Sequence, residues 1–145
     1  MATPSSQTLT MAAEPEEIMD VIADFEAYPH WTGAVKAVEI TDPGDGKRAN
    51  QVRFSLDAGL VKDTYELAYK WPEDGMSVSW TLVSGQFQKS QEGSYVLRST
   101  EKGTEVTYTL AVDLMLPMVG VLRRKAERVI LDTALKELRK RVEGT

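Results

Sequence analysis

The sequence predicts an α+β fold with an antiparallel sheet of about seven strands, two short helices after the first strand and one long C-terminal helix. Apolar and polar residues alternate through most of the segment from Val35 to Asp113, which is the period of strands with one buried face. From about Leu116 to Val142 the apolar residues instead recur at the spacing of a helix. The length of 145 residues, 42 % of them apolar and 27 % charged, favours one globular domain over residues 1–145.

A short strand and two short helices are predicted at the start of the chain. The segment 7–11 has the pattern of a strand. Pro15, with acidic neighbours on both sides, is typical of a helix N-terminus. Tyr28-Pro29 predicts the end of that helix, because a residue before proline avoids the helical conformation. A second helical turn is expected over 30–34. The apolar face of the first helix comprises Ile18, Val21, Ile22 and Phe25.

The central segment is predicted to be a run of hairpins. Four stretches show the two-residue period most clearly: 52–57, 65–71, 78–82 and 106–112. Short connections rich in glycine, proline and acidic residues separate them, as expected of hairpin turns. Consecutive strands joined in this way form an antiparallel meander.

The C-terminal helix carries two apolar stripes about 130° apart, taking 100° per residue. We expect the first stripe to match the apolar face of the sheet and to form one wall of a cavity. It comprises Val119, Leu122, Ala126, Val129, Ile130 and Thr133. The second stripe comprises Leu131, Leu135, Leu138 and Val142. A charged face is expected to be solvated, and it comprises Lys125, Arg128, Asp132, Lys136 and Arg139.

Composition excludes several classes of function. The net charge of −5 argues against nucleic acid as a partner. The chain has no cysteine, which excludes disulfides and zinc–thiolate sites, and its single histidine, His30, excludes a His-based triad within one subunit. No phosphate-binding loop or nucleophile elbow is present. We expect no metal and no cofactor, a cytoplasmic location, no membrane span, and a monomer or weak dimer.

The residues of the first helix and its continuation resemble a known family. The segment from Ala13 to Met19, followed by Asp24–Trp31 (Asp-Phe-Glu-Ala-Tyr-Pro-His-Trp), resembles the "Asp-x-x-x-Tyr-Pro-x-Trp" opening of the polyketide cyclase/dehydrase family. This family belongs to the START-like (SRPBCC, helix-grip) superfamily. The segments 104–114 and 124–139 are similar to its actinobacterial members. The resemblance implies a curved sheet wrapped around the long helix. It also implies a cavity between them for a hydrophobic or aromatic molecule such as a lipid, polyketide or quinone.

With this resemblance, nine residues become candidate ligand contacts. The aromatic ones are expected to line the cavity from the sheet, although the same residues could simply fill a closed core. Two methionines lie in the connection to the last helix, near the entrance that the family implies, where ordinary packing is the alternative. The candidates are Tyr65, Tyr69, Trp80 and Tyr108 on strands, Met115 and Met118 in the connection, and Leu122, Ala126 and Ile130 on the helix.

Asp63 is the strongest candidate for catalysis, because it shares a strand face with Tyr65 and Tyr69. We expect it to reach water at the rim of the sheet and therefore not to act as an acid, while a buried carboxylate could do so. Gln91 shares the face of Tyr95 unless a bulge at Gly93 intervenes.

No catalytic residue is therefore assigned, and a carrier or sensor of a hydrophobic molecule is the preferred function. The alternatives are a polyketide cyclase or dehydratase, in which Asp63 and the tyrosines shift protons, and an accessory protein that acts through its surface. For the accessory protein, the basic C-terminal helix is the expected contact.

Overall fold

The computed structural model describes residues 4–57, 62–115 and 120–144, with side chains in the last range from Arg124 onward. Within these residues the chain forms one seven-stranded antiparallel sheet in the order β1-β7-β6-β5-β4-β3-β2. The strands are β1 (Ser5–Met11), β2 (Val35–Asp42), β3 (Gln51–Asp57), β4 (Lys62–Lys70), β5 (Ser77–Gly85), β6 (Gln88–Thr100) and β7 (Gly103–Leu114). The predicted α+β class and the antiparallel meander are confirmed.

The helices also follow the predicted order. Two α-helices and a short 3-10 turn lie between β1 and β2, and a 24-residue helix ends the chain. They are α1 (Pro15–Ala23), the 3-10 turn (Phe25–Ala27), α2 (Tyr28–Trp31) and α3 (Gly120–Glu143). Pro15 occupies the first turn of α1 beside Glu16 and Glu17, where acidic side chains favour the positive end of the helix dipole. No described helix has the length and apolar character that crossing a bilayer requires.

The core lies between the inner face of the sheet and the helices. It includes Met11, Ile18, Ile22, Phe25, Val52, Val106, Leu131, Leu135 and Leu138. On α1 the buried residues are Ile18, Met19, Ile22 and Ala23, while Val21 is half-buried. α2 and the 3-10 turn join this core through Tyr28, whose hydroxyl donates to the carbonyl of Ile22 at 2.6 Å. Trp31 packs against Tyr28 with ring centroids 5.0 Å apart.

Helix α3 packs with its second apolar stripe, against β1, β7 and α1. The expectation that the first stripe meets the sheet is wrong within the described residues. Ala126 is exposed, and Val129 and Ile130 are 60 % and 45 % exposed. The cause is Glu127, which is buried and accepts hydrogen bonds from Ser5 Oγ at 2.8 Å and from Val112 N at 3.0 Å.

These two hydrogen bonds fix the rotation of α3. Glu127 and Leu131 are separated by one helical turn and therefore face the same side. Because Ala126 and Ile130 precede them by one residue each, they are turned by about 100° away from that side. The predicted solvated face is exposed at Lys125, Arg128 and Lys136, with Lys136 paired to Asp132 at 3.0 Å.

Candidate functional site

A continuous layer of aromatic rings covers the inner face of the sheet from β3 to β7. The strand register builds this layer, because it places aromatic residues directly opposite one another on neighbouring strands. The facing pairs are Phe54 and Tyr65 with ring centroids 5.5 Å apart, Tyr69 and Trp80 at 5.7 Å, and Tyr95 and Tyr108 at 4.5 Å. The predicted residues Tyr65, Tyr69, Trp80 and Tyr108 are thus brought together, and Tyr95 joins them.

Trp80 lies at the centre of the layer because its strand neighbour is a glycine. The register sets Trp80 opposite Gly93, and a Cβ at Gly93 would lie 2.4 Å from the indole ring. The ring therefore lies flat across the glycine backbone and contacts Tyr69, Tyr95 and Tyr108 at 5.4–5.8 Å. The bulge expected at Gly93 does not occur; the register instead shifts between Gln88 and Ser90.

The tyrosine cluster consists of Tyr28, Tyr65, Tyr69, Tyr95 and Tyr108. Burial raises the pKa of every one of these phenols above its ordinary value of 10.0, because a phenolate loses its hydration inside the protein. Neighbouring tyrosines raise the pKa further in four of the five. All five are neutral hydrogen-bonding groups at physiological pH.

Four of these hydroxyls have no protein partner among the described residues. Tyr28 donates to a backbone carbonyl, whereas no hydrogen bond to protein is made by the hydroxyls of Tyr65, Tyr69, Tyr95 or Tyr108 in that part of the chain. Among the same residues, the fully buried side-chain polar atom that lacks a hydrogen-bond partner is the indole Nε1 of Trp31. The four phenols therefore offer donors to a molecule that lies against the aromatic layer.

A buried chain of polar side chains, which we call the amide chain, borders the aromatic layer. It comprises Asp63, Gln88, Gln91 and Trp80, all buried. Trp80 Nε1 donates to Gln91 Oε1 at 2.9 Å and Gln91 Nε2 donates to Gln88 Oε1 at 2.6 Å. Gln88 Nε2 then donates to Asp63 Oδ2 at 3.1 Å. The other carboxylate oxygen, Asp63 Oδ1, accepts from the backbone N–H groups of Gln86 at 3.0 Å and Phe87 at 3.3 Å.

The two ends of the amide chain determine its direction. An indole N–H can only donate, and an ionised carboxylate can only accept. Between these ends each glutamine must turn its oxygen toward Trp80 and its nitrogen toward Asp63. Reversing either amide would place two donors or two acceptors against each other, so the four side chains act as one cooperative unit.

The expectation that Asp63 reaches water at the rim of the sheet is wrong. Asp63 is 4 % exposed, because the turn between β5 and β6 folds over it and supplies both backbone donors. The position remains close to the end of the sheet where β4 begins. Three donors point at the carboxylate, an arrangement that suits a structural role.

The remaining predicted contacts are placed differently. Met115 follows β7 and is 58 % exposed, with its backbone N–H bonded to the carbonyl of Phe87. Met118 and the side chain of Leu122 lie outside the described residues. Ala126 and Ile130 are exposed on α3. A role in binding for these five residues stays a prediction. Within residues 4–57, 62–115 and 124–144, no three His, Asp or Glu side chains are grouped as metal ligands would be.

A family model described as "polyketide cyclase / dehydrase and lipid transport" matches residues 4–143. No curated protein matches the sequence.

Three solved structures illustrate the likeness in fold. A START superfamily protein from Mycobacterium smegmatis is 26 % identical with a TM-score of 0.89, over 97 % of each chain. A protein from Thermus thermophilus is 21 % identical with a TM-score of 0.79, again over 97 % of each chain. The Zhui aromatase/cyclase from Streptomyces sp. R1128 is 16 % identical with a TM-score of 0.76, over 99 % of this chain and 98 % of that one.

Proposed function

Because the chain belongs to the polyketide cyclase/dehydrase and lipid transport family, we propose that it is a carrier or sensor that binds one hydrophobic or aromatic small molecule. The ligand lies between the inner face of the sheet and α3. The observation that carries this proposal is the aromatic layer, an otherwise apolar surface on which four tyrosine hydroxyls make no hydrogen bond to protein within the described residues. Such a surface is what an apolar ligand with a few polar atoms needs.

The packing of α3 supports this location. The helix lies against β1 and β7 through Leu131, Leu135 and Leu138, whereas the rings of Tyr65, Tyr69 and Trp80 are on β4 and β5. Tyr65 and Tyr69 are only half-buried although they point to the inner face. In this proposal the ligand covers them, together with Tyr95 and Tyr108, and reaches Leu122, Ala126 and Ile130 on the helix. Met115 and Met118 lie at the edge where it enters.

An enzymatic alternative, polyketide cyclisation or dehydration, is favoured by one observation, the buried carboxylate of Asp63 beside the aromatic layer. Against it, the carboxylate accepts three hydrogen bonds, which occupy the oxygens that a proton acceptor would use. We therefore place the carrier first and assign Asp63 a structural role.

Two adjacent residues of β5 provide a matched test of the site. Leu82 points to the inner face and is half-buried, whereas Val83 points outward and is 50 % exposed. Binding of the apolar fluorophore N-phenyl-1-naphthylamine is measured by titration for wild type, Leu82→Lys and Val83→Lys. We expect saturable binding to wild type, at least about tenfold weaker binding to Leu82→Lys because a charge enters an apolar site, and unchanged binding to Val83→Lys. No saturable binding to wild type, or equal binding to both variants while they remain folded, would contradict the proposal.

A further inference from the structure

The amide chain gives the proposed ligand site a polar end. Gln88 and Gln91 are each more than nine-tenths buried, and each uses one N–H of its amide nitrogen within the chain. Each nitrogen carries a second N–H. Within the described residues, no protein acceptor bonds to that second hydrogen of either side chain. A buried donor without an acceptor costs free energy until a water or a ligand atom supplies one.

The direction of the amide chain decides which ligand atom suits it. Every member passes its hydrogen toward Asp63, and the N–H left over on each glutamine nitrogen is a donor. The phenols of Tyr95 and Tyr108 are neutral donors on the same inner face as Gln91. These groups match an acceptor oxygen of the ligand, such as a carbonyl or an ether.

The charge of Asp63 adds a second restriction. Its carboxylate accepts all three of its hydrogen bonds and has no cationic partner among the described residues. An anionic group brought to the amide chain would meet this buried negative charge in surroundings of low polarity, where repulsion is strong. The site therefore disfavours carboxylates such as the head group of a fatty acid.

We propose that the ligand is uncharged and carries an acceptor oxygen, which Gln91 recognises at the border of the aromatic layer. This inference rests on the proposed function. Gln91 is then the residue that determines specificity. Its amide is adjacent to Trp80, whose ring contacts three of the tyrosines. The apolar body of the ligand lies on those rings while its oxygen faces the amide nitrogen.

Three probes that share the fluorene ring system test this inference: fluorene, fluoren-9-one and fluorene-9-carboxylate. Each displaces N-phenyl-1-naphthylamine from the full chain, and the three dissociation constants are compared. We expect fluorenone to bind about fivefold tighter than fluorene, the effect of one neutral hydrogen bond. We expect the carboxylate to bind at least about tenfold weaker than fluorene, because its charge must approach Asp63 without water.

Two variants assign the preference to the amide chain. Gln91→Leu should remove the advantage of fluorenone, so that fluorenone and fluorene bind to this variant with equal affinity. The matched control is Gln86→Leu, an exposed amide in the turn before β6, which should keep the advantage. In case Gln91→Leu fails to fold, the side-chain amide NMR signals of Gln91 in wild type provide a second readout, since they should shift more on binding of fluorenone than on binding of fluorene.

The outcomes separate this inference from the proposed function. If no probe binds to wild type, both fall. If the probes bind with equal affinity, or the carboxylate binds tightest, the inference is overturned while the proposed function stands. A preference for fluorenone that survives in folded Gln91→Leu would also overturn the role of Gln91.

Discussion

Replacing Asp63 by Asn is expected to disturb Trp80, which is three side chains away along the amide chain. The new amide can still offer one oxygen to the N–H groups of Gln86 and Phe87, but it then turns its nitrogen toward Gln88 Nε2, another donor. Flipping Gln88 moves the conflict to Gln91, and flipping Gln91 moves it to the indole N–H of Trp80. One donor must remain unpaired wherever the conflict settles.

The size of the effect follows from the hydrogen bonds that are weakened. The two backbone donors lose a charged acceptor, at about 1 kcal/mol each, and one buried donor loses its partner, at about 1–3 kcal/mol. Asp63→Asn should therefore lower the free energy of unfolding by about 3–5 kcal/mol. The measurement is equilibrium unfolding in denaturant, with an unchanged slope as the sign that the transition remains two-state.

A double-mutant cycle identifies the cause. Trp80→Phe removes the terminal donor, so the reversed amide chain of the double variant contains no conflict. Asp63→Asn/Trp80→Phe should be about 1–3 kcal/mol more stable than the sum of the single effects predicts. The control is Trp71→Phe. Trp71 Nε1 donates to the carbonyl of Ala49 at 2.8 Å and takes no part in the amide chain. Its effect should add to that of Asp63→Asn within about 0.5 kcal/mol. Equal additivity for both tryptophans would refute the cooperative amide chain.

Three further predictions concern the tyrosine cluster, Gly93 and Glu127. Burial raises the phenol pKa values in the folded state. The neutral tyrosines therefore contribute fully to the free energy of unfolding below pH 10, and this contribution falls above pH 10 by about 1.4 kcal/mol per pH unit for each tyrosine. Phenolate absorbance and circular dichroism should therefore change together in one alkaline transition; ionisation near pH 10 without unfolding would contradict this. Gly93→Ala should lower the free energy of unfolding by about 1–3 kcal/mol, since the new Cβ overlaps the Trp80 ring, and Trp80→Leu should rescue part of this loss. Glu127→Ala should lower stability by about 1–3 kcal/mol, because a buried backbone N–H and the Ser5 hydroxyl lose their acceptor; a loss below about 0.5 kcal/mol would place that carboxylate in water.

Much of the sheet could be predicted because alternation is a local signal. The turn residues joined the strands as hairpins, and the alternation placed Tyr65, Tyr69, Trp80 and Tyr108 on one face. The family resemblance read from Asp24–Trp31 is confirmed by the match over residues 4–143. The cross-strand neighbours that form the aromatic layer depend on register, which the alternation restricts but does not determine.

The amide chain could not be predicted in the same way. Its hydrogen bonds join Asp63 to residues 23–25 positions later, and they form only because the turn before β6 closes over the carboxylate. The register shift between Gln88 and Ser90 brings Gln88 inside, together with Gln91. The sequence contained one signal of the amide chain. An acidic residue lies two positions before an inward-facing tyrosine, and two glutamines three residues apart follow later.

Helix α3 shows a different limit. Both of its stripes are apolar, and a helical period alone gives no reason to prefer one over the other. The choice is made by Glu127, a charged residue that lies beside Leu131 on the buried side and is bonded to β1 and β7. Because glutamate is rarely buried, the sequence around Glu127 gave no sign of this role. The expectation that Val129 and Ile130 face the sheet was therefore wrong.

The location of the ligand is tested most directly by nuclear Overhauser effects between protein and bound N-phenyl-1-naphthylamine. Isotope-filtered spectra distinguish protons of the probe from those of labelled aromatic rings. Our account predicts cross-peaks from the probe to the rings of Trp80, Tyr95 and Tyr108, and none to Val83 on the outer face. Cross-peaks confined to Val83 or to the exposed Val129 of α3, with the inner rings silent, would contradict it.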